Sequence, residues 1–160
     1  MPIITIQGTP IEIPSSGESP NWAPGIIEAF QAIETALNSA IGPYDVASQI
    51  LTIDAHNPGT DIEITNLSFP TSSIQGAFIR YSVIRTTTTD TAYETGDITI
   101  TYNPNGAVNQ KWEIAREYIG DGKISFTITD IGQVKFSTTA MGGLSHSGKL
   151  IFSAQAQAKV

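Results

Sequence analysis

The chain has 160 residues, 40% of them hydrophobic, and sets eight Lys and Arg against fifteen acidic residues for a net charge of −7. That length fits one domain with a short appendage and buries a core without staples. The acidic balance argues against nucleic acid and anionic membranes, whose phosphates need a basic surface, and the absence of cysteine removes disulfides, thiolate metal sites and cysteine nucleophiles.

Residues 1–14, MPIITIQGTPIEIP, alternate weakly. Ile3, Ile11 and Ile13 are apolar, Thr5 and Glu12 lie between them, and Pro2, Pro10 and Pro14 interrupt the run. Proline suits an edge strand or an extended arm. Such an arm buries little of itself, so either it pairs with another surface, with Ile3, Ile11 and Ile13 as its candidate attachment residues, or the segment is a frayed terminus. The segment lacks a basic n-region and an apolar h-region, so no secretion signal is expected. No apolar run approaches ~18 residues, so no membrane span is expected.

Residues 15–25 form a linker rich in turn residues. The spacing then predicts the chain's one helix, between Ser19 and Pro43. Ser19 caps it with Pro20 at the first position, or it starts near Pro24. Gly42-Pro43 stops it. Ile26, Phe30, Ile33, Leu37 and Ala40 recur at alternating steps of four and three, a seam of heptad type. About two heptads are too short to be stable alone. The seam packs either on its own sandwich or on the same helix of sister chains around an axis.

From Val46 the period changes to two. Ile50, Leu51 and Ile53 make a short apolar run, residues 57–60 (NPGT) a turn, and Ile62 and Ile64 a strand. Residues 76–86, GAFIRYSVIRT, carry apolar groups on both faces and are expected to be a central strand. The tract from Arg85 through Thr91 offers a row of hydroxyls, as an edge strand or a solvated loop. Ile98, Ile100 and Tyr102 alternate, and residues 103–106 (NPNG) turn the chain, with Asn105-Gly106 able to take positive φ. Trp112 and Ile114, then Ile124, Phe126 and Ile128, then Val134 and Phe136 mark further strands, separated by Gly120-Asp121-Gly122 and Asp130-Ile131-Gly132. A flexible loop at 141–148 precedes a last strand around Leu150, Phe152 and Ala154. The fold class is therefore mainly β: an antiparallel β-sandwich, jelly-roll or immunoglobulin-like, with an N-terminal extended arm and one short α-helix. Residues 1–45 form the arm and helix, residues 46–160 the sandwich.

No catalytic constellation stands out. His56 and His146 have no His or Cys at zinc spacing. His146 lies between Ser145 and Ser147, and adjacent residues do not reach triad geometry. Asp54, Asp61, Glu63, Asp90, Glu94, Asp97, Asp121 and Asp130 are available for a carboxylate pair, but most are expected at turns, and Glu113 and Glu117 are expected to be solvated. Asp121 and Asp130 are a weak calcium candidate without a D-x-D-x-D-G pattern. No phosphate loop occurs, so neither a metal nor a cofactor is expected. Tyr81, Tyr93, Tyr102 and Trp112 are either core or a sugar-stacking platform.

Two stretches carry a resemblance. Residues 14–46 form one. The other is IRYSVIRTTTTDTAYETGDITITYNPNG (79–106) followed by KISFTITDIGQVKFSTT (123–139). The second has Tyr81, Val83 and Arg85, then Thr95-Gly96, Gly122, Ile124, Phe126, Ile128, Val134, Phe136, Thr138 and Thr139. Together they resemble virion structural proteins of tailed bacteriophages, in which an N-terminal arm or helix precedes a compact β-domain. The resemblance implies a non-enzymatic virion component made in the host cytoplasm, a capsid decoration, head-fibre or tail-fibre protein. It implies a homotrimer, with Ile26, Phe30, Ile33, Leu37 and Ala40 as the oligomerisation seam, that contacts other virion proteins such as the major capsid or tail proteins. The alternative is an adhesin domain on the virion surface that binds host glycans or a receptor.

Overall fold

The computed structural model describes residues 3–6, 9–12, 30–33, 42, 44–53 and 59–159. The chain divides into two compact units, Met1–Pro43 and Tyr44–Val160.

In the first unit, β1 (Ile3–Ile6) and β2 (Thr9–Glu12) form an antiparallel hairpin that pairs Ile4 with Ile11 and Thr5 with Pro10. The N-terminal strands thus find their ladder in each other, where the sequence suggested pairing with another surface. Ile13 lies outside the described residues. Residues 30–33 are helical, inside the expected span, and Phe30 and Ile33 are 39% and 50% exposed. Ile26, Leu37 and Ala40 lie outside the described residues.

The second unit is an antiparallel sandwich of eight strands. These are β3 (Val46–Thr52), β4 (Ile62–Ser68), β5 (Ile74–Thr86), β6 (Thr91–Tyr102), β7 (Trp112–Gly120), β8 (Ile124–Ile128), β9 (Gln133–Thr138) and β10 (Ser147–Ala158). One sheet has the order β3-β10-β5-β6-β7, the other β4-β9-β8. First strand pairs with last and second with second-last, the nested winding of a jelly roll, while β5-β6-β7 run as a meander.

The core lies between the sheets. Ile79, Tyr81, Val83, Ile98, Ile100, Leu150 and Phe152 of the larger sheet meet Ile64, Leu67, Ile124, Val134 and Phe136 of the smaller one. Alternation puts every second residue of most strands on that face; in β4 a register shift with Asn66 at φ 68° brings both Ile64 and Leu67 inward. β5 is central, as expected, yet only one of its faces is covered: Ile79, Tyr81 and Val83 are buried while Phe78, Arg80, Ser82 and Ile84 are exposed. The apolar groups on its second face therefore do not mark a second buried layer.

Turns follow local chemistry with one difference. Gly132 takes φ 88° in the β8–β9 turn, and a side chain there would run into the Phe69 carbonyl. In the β6–β7 connection, positive φ falls on Asn109 rather than on Asn105-Gly106. The Asn103 side chain holds the Asn105 amide at 3.0 Å, and Asp130 accepts from the Asn109 and Lys111 amides. These anchors fix a wider loop than a tight hairpin turn.

Candidate functional site

Two polar constellations emerge, one inside the sandwich and one on its outer face. The inner one centres on Glu94, which points from the middle of β6 into the core and is 4% exposed. Tyr81 Oη donates to Glu94 Oε1 at 2.6 Å, and the Gly122 amide donates to Oε2 at 2.9 Å. Arg116 forms an ion pair with Glu94 at 3.5 Å, donates to the Ile124 carbonyl at 2.9 Å, and lies over the rings of Tyr118 and Phe126. Burial and the hydrogen bond to Glu94 push the Tyr81 hydroxyl well above its ordinary range. Arg116 thereby links β7 of the larger sheet to β8 of the smaller one. Sequence reasoning placed Glu94 among turn carboxylates; its even position on a strand whose even positions are Ala92, Ile98 and Ile100 was the signal that it faces inward.

Arg85 is fully buried. Its guanidinium donates to the carbonyls of Lys123 at 2.7 Å and Thr139 at 3.2 Å, and its Nε donates to His146 Nε2 at 3.2 Å. Burial lowers its affinity for its proton. His146 is thus held to a structural arginine, and no Ser–His relay forms with Ser145 or Ser147. His56 and Asp54 lie outside the described residues.

The threonine tract has a structural role. Thr87–Asp90 turns the chain between β5 and β6, closed by the Thr87 amide on the Asp90 carbonyl at 2.8 Å. Thr87 Oγ1 donates to the Gly142 carbonyl at 2.6 Å, and Thr88 Oγ1 accepts the Leu144 amide at 3.0 Å. The loop at 141–148, expected to be flexible, is therefore clasped by these hydroxyls. Gly143 takes φ 97°, and a Cβ there would sit 2.6 Å from Thr89 Oγ1.

The remaining carboxylates sort into supports and surface groups. Lys123 holds the Asp121 carboxyl below its ordinary range, and Glu63 pairs with Lys135 at 3.5 Å. Asp121 and Asp130 share no site, and among the described residues no three His, Asp or Glu gather as metal ligands. Of the four aromatics considered for sugar stacking, Tyr81 and Trp112 are buried, Tyr102 is half-buried against Trp112, and Tyr93 alone is exposed. They form no common platform.

The outer constellation lies on the uncovered face of the five-stranded sheet. Arg80 Nε binds Asp97 Oδ1 at 3.2 Å across β5 and β6, and Asp97 faces Glu117 across β6 and β7. With Thr95, Gly96, Tyr118 and Ile119 they line an open depression of about 380 Å³. Asp97 and Glu117 are the one carboxylate pair brought together here. Both are exposed, with Asp97 neutralised by Arg80. Arg80 had no place in the sequence reading of sites; its signal was its position between Phe78 and Ser82 on the face opposite Ile79 and Tyr81.

The fold and these groups define an antiparallel β-sandwich whose buried polar side chains tie strands together and whose wider sheet is left open on one face. No family model matches the chain, and no curated protein matches it. Among solved structures it is similar to the tailspike protein of Acinetobacter phage vB_ApiP_P1, with a TM-score of 0.45 and 14% identity. The match covers 69% of this chain and 22% of that one, so the chain spans about a fifth of the tailspike's length.

Proposed function

We propose that this chain is a non-enzymatic structural protein of a phage particle, a homotrimeric capsid-decoration or fibre component held by residues 1–45 and presenting residues 46–160. The observation that carries the reading is the use of its buried ionisable groups. Arg85 and Glu94, the buried charged side chains among the described residues, are engaged with backbone carbonyls, an amide and neighbouring strands. The virion context comes from the sequence resemblance over residues 14–46, 79–106 and 123–139. Phe30 and Ile33 keep a third to a half of their surface exposed in the helical turn, as a seam awaiting sister helices requires.

Mass spectrometry of purified particles, followed by electron microscopy, tests the assignment. The chain is expected in stoichiometric amount with residues 1–45 against another virion protein; its absence from intact particles overturns the reading. Phe30→Asp is expected to lower the light-scattering mass threefold, and an unchanged mass removes the trimeric seam. Loss of a polysaccharide-cleaving activity in Asp97→Asn with Glu117→Gln would overturn the non-enzymatic assignment.

A second reading, a glycan-binding adhesin domain, is favoured by one observation. Tyr93 is exposed on the same outer face as Asp97 and Glu117. Binding on a glycan array that disappears in Tyr93→Ala supports it, and an array without signal removes it.

A further inference from the structure

We propose that the outer face of the five-stranded sheet binds the same face of a second copy of this chain, about a twofold axis that runs along the strands between β5 and β6. The inference does not rest on the virion reading. Its first ground is apolar exposure. Ile50, Phe78, Ile84, Tyr93, Ile119 and Ile151 all stand on this face, and Ile119 is 81% exposed. The ladder sets Ile50, Ile151, Ser82, Thr95 and Ile119 side by side in one row across all five strands. Apolar side chains gathered on an uncovered sheet face mark an interaction site.

The second ground is charge. Lys149 and Arg80 lie on β10 and β5; Asp97, Glu113 and Glu117 lie on β6 and β7. One half of the face is cationic and the other anionic. The proposed axis exchanges the halves while keeping the level along the strands. Because Arg80 and Asp97 are ladder partners, Arg80 of one copy then meets Asp97 of the other. By the same register Ile84 meets Tyr93, and Ile151 meets Ile119. A twofold contact needs this self-complementarity, and sheets stacked face to face hold their strands within about 30°.

The third ground is size. Across this axis β5 lies on β6 and β10 on β7, with β3 beyond the overlap; four strands about 4.8 Å apart, over roughly nine residues at about 3.4 Å each, give roughly 600 Å². A specific interface buries about 600–1,000 Å² on each partner.

Sedimentation equilibrium of the full chain tests the proposal. The wild-type mass is expected to be twice that of Ile119→Asp, a substitution at a solvent-facing position that leaves the circular dichroism unchanged. Arg80→Asp and Asp97→Arg are each expected to halve the mass, since each sets like charges against each other across the axis at the level where Arg80 and Asp97 meet. An equimolar mixture of the two regains the doubled mass, because each then supplies the charges the other lacks. The proposal is overturned if wild type and Ile119→Asp have equal masses, or if the mixture weighs no more than its components. The twofold change here is distinct from the threefold change expected of Phe30→Asp.

Discussion

Tyr81 on β5 and Glu94 on β6 meet inside the sandwich, where the phenol donates to the carboxylate at 2.6 Å. The pair ties two strands of the large sheet and, through the Gly122 amide and Arg116, the approach to β8. A buried carboxylate is tolerable only because it is fully engaged. Glu94→Ala leaves the Tyr81 hydroxyl and the Gly122 amide without an acceptor and Arg116 without its counter-charge. Denaturant unfolding is expected to show a loss of about 3–5 kcal/mol, and a loss below about 1 kcal/mol would contradict the role assigned to the pair.

The same pair makes stability fall in alkali. The Tyr81 hydroxyl holds its proton above the ordinary value of 10.0, so beyond that pH the unfolded chain loses a proton that the folded chain keeps. The unfolded state then binds fewer protons, and stability declines with rising pH by up to about 1.4 kcal/mol per unit from this one group. Below pH 10.0 the contribution is complete. Unfolding curves at pH 9 to 11 are expected to show a shallower decline for Tyr81→Phe than for wild type; parallel declines would contradict this linkage.

Arg85 is expected to be irreplaceable by lysine. Its planar guanidinium serves the Lys123 and Thr139 carbonyls and His146 together. An ammonium is a compact point charge and does not reproduce that fork. Arg85→Lys is expected to cost about 2 kcal/mol, since one or two buried acceptors lose their donors. Thermal unfolding reads this as a fall of several degrees, and an unchanged midpoint would show that the fork is dispensable.

The clasp on the loop at 141–148 is testable residue by residue. Thr88→Val removes the acceptor of the Leu144 amide, and hydrogen exchange at Leu144 is expected to accelerate while exchange in β5 and β6 stays unchanged. Gly143→Ala combines a positive φ with a close approach to Thr89 Oγ1, and is expected to cost about 1–3 kcal/mol. A neutral Gly143→Ala would mean that the loop is not held against the threonines.

The β-class, the eight sandwich strands and most of their positions were legible because a half-buried strand must alternate. Ile98, Ile100 and Tyr102 on β6, and Val134 and Phe136 on β9, carried that period in their order alone. Turn chemistry was legible where the signal is local, as at Gly120, at Gly132 and at residues 103–106, where the Gly106 amide donates to the Asn103 carbonyl at 3.1 Å; positive φ falls instead on Asn109, whose amide the remote Asp130 carboxylate holds. The candidate sites were far less legible. Phe78, Arg80, Ser82 and Ile84 have an amphipathic alternation that fits a covered face as well as an open one, and only the three-strand width and placement of the second sheet leave theirs open.

What the order of residues decided by itself is the period-two patterning, which any chain burying one side of each strand must show. Which strands are neighbours depends on contacts between residues distant in sequence, such as Arg85 with Thr139 and Tyr81 with Glu94. Those contacts bring two charges, Arg85 and Glu94, into the core and leave others, Arg80 beside Asp97, facing outward. Alternation marks which residues share a face; which face is covered is decided only when two sheets of unequal width close on each other.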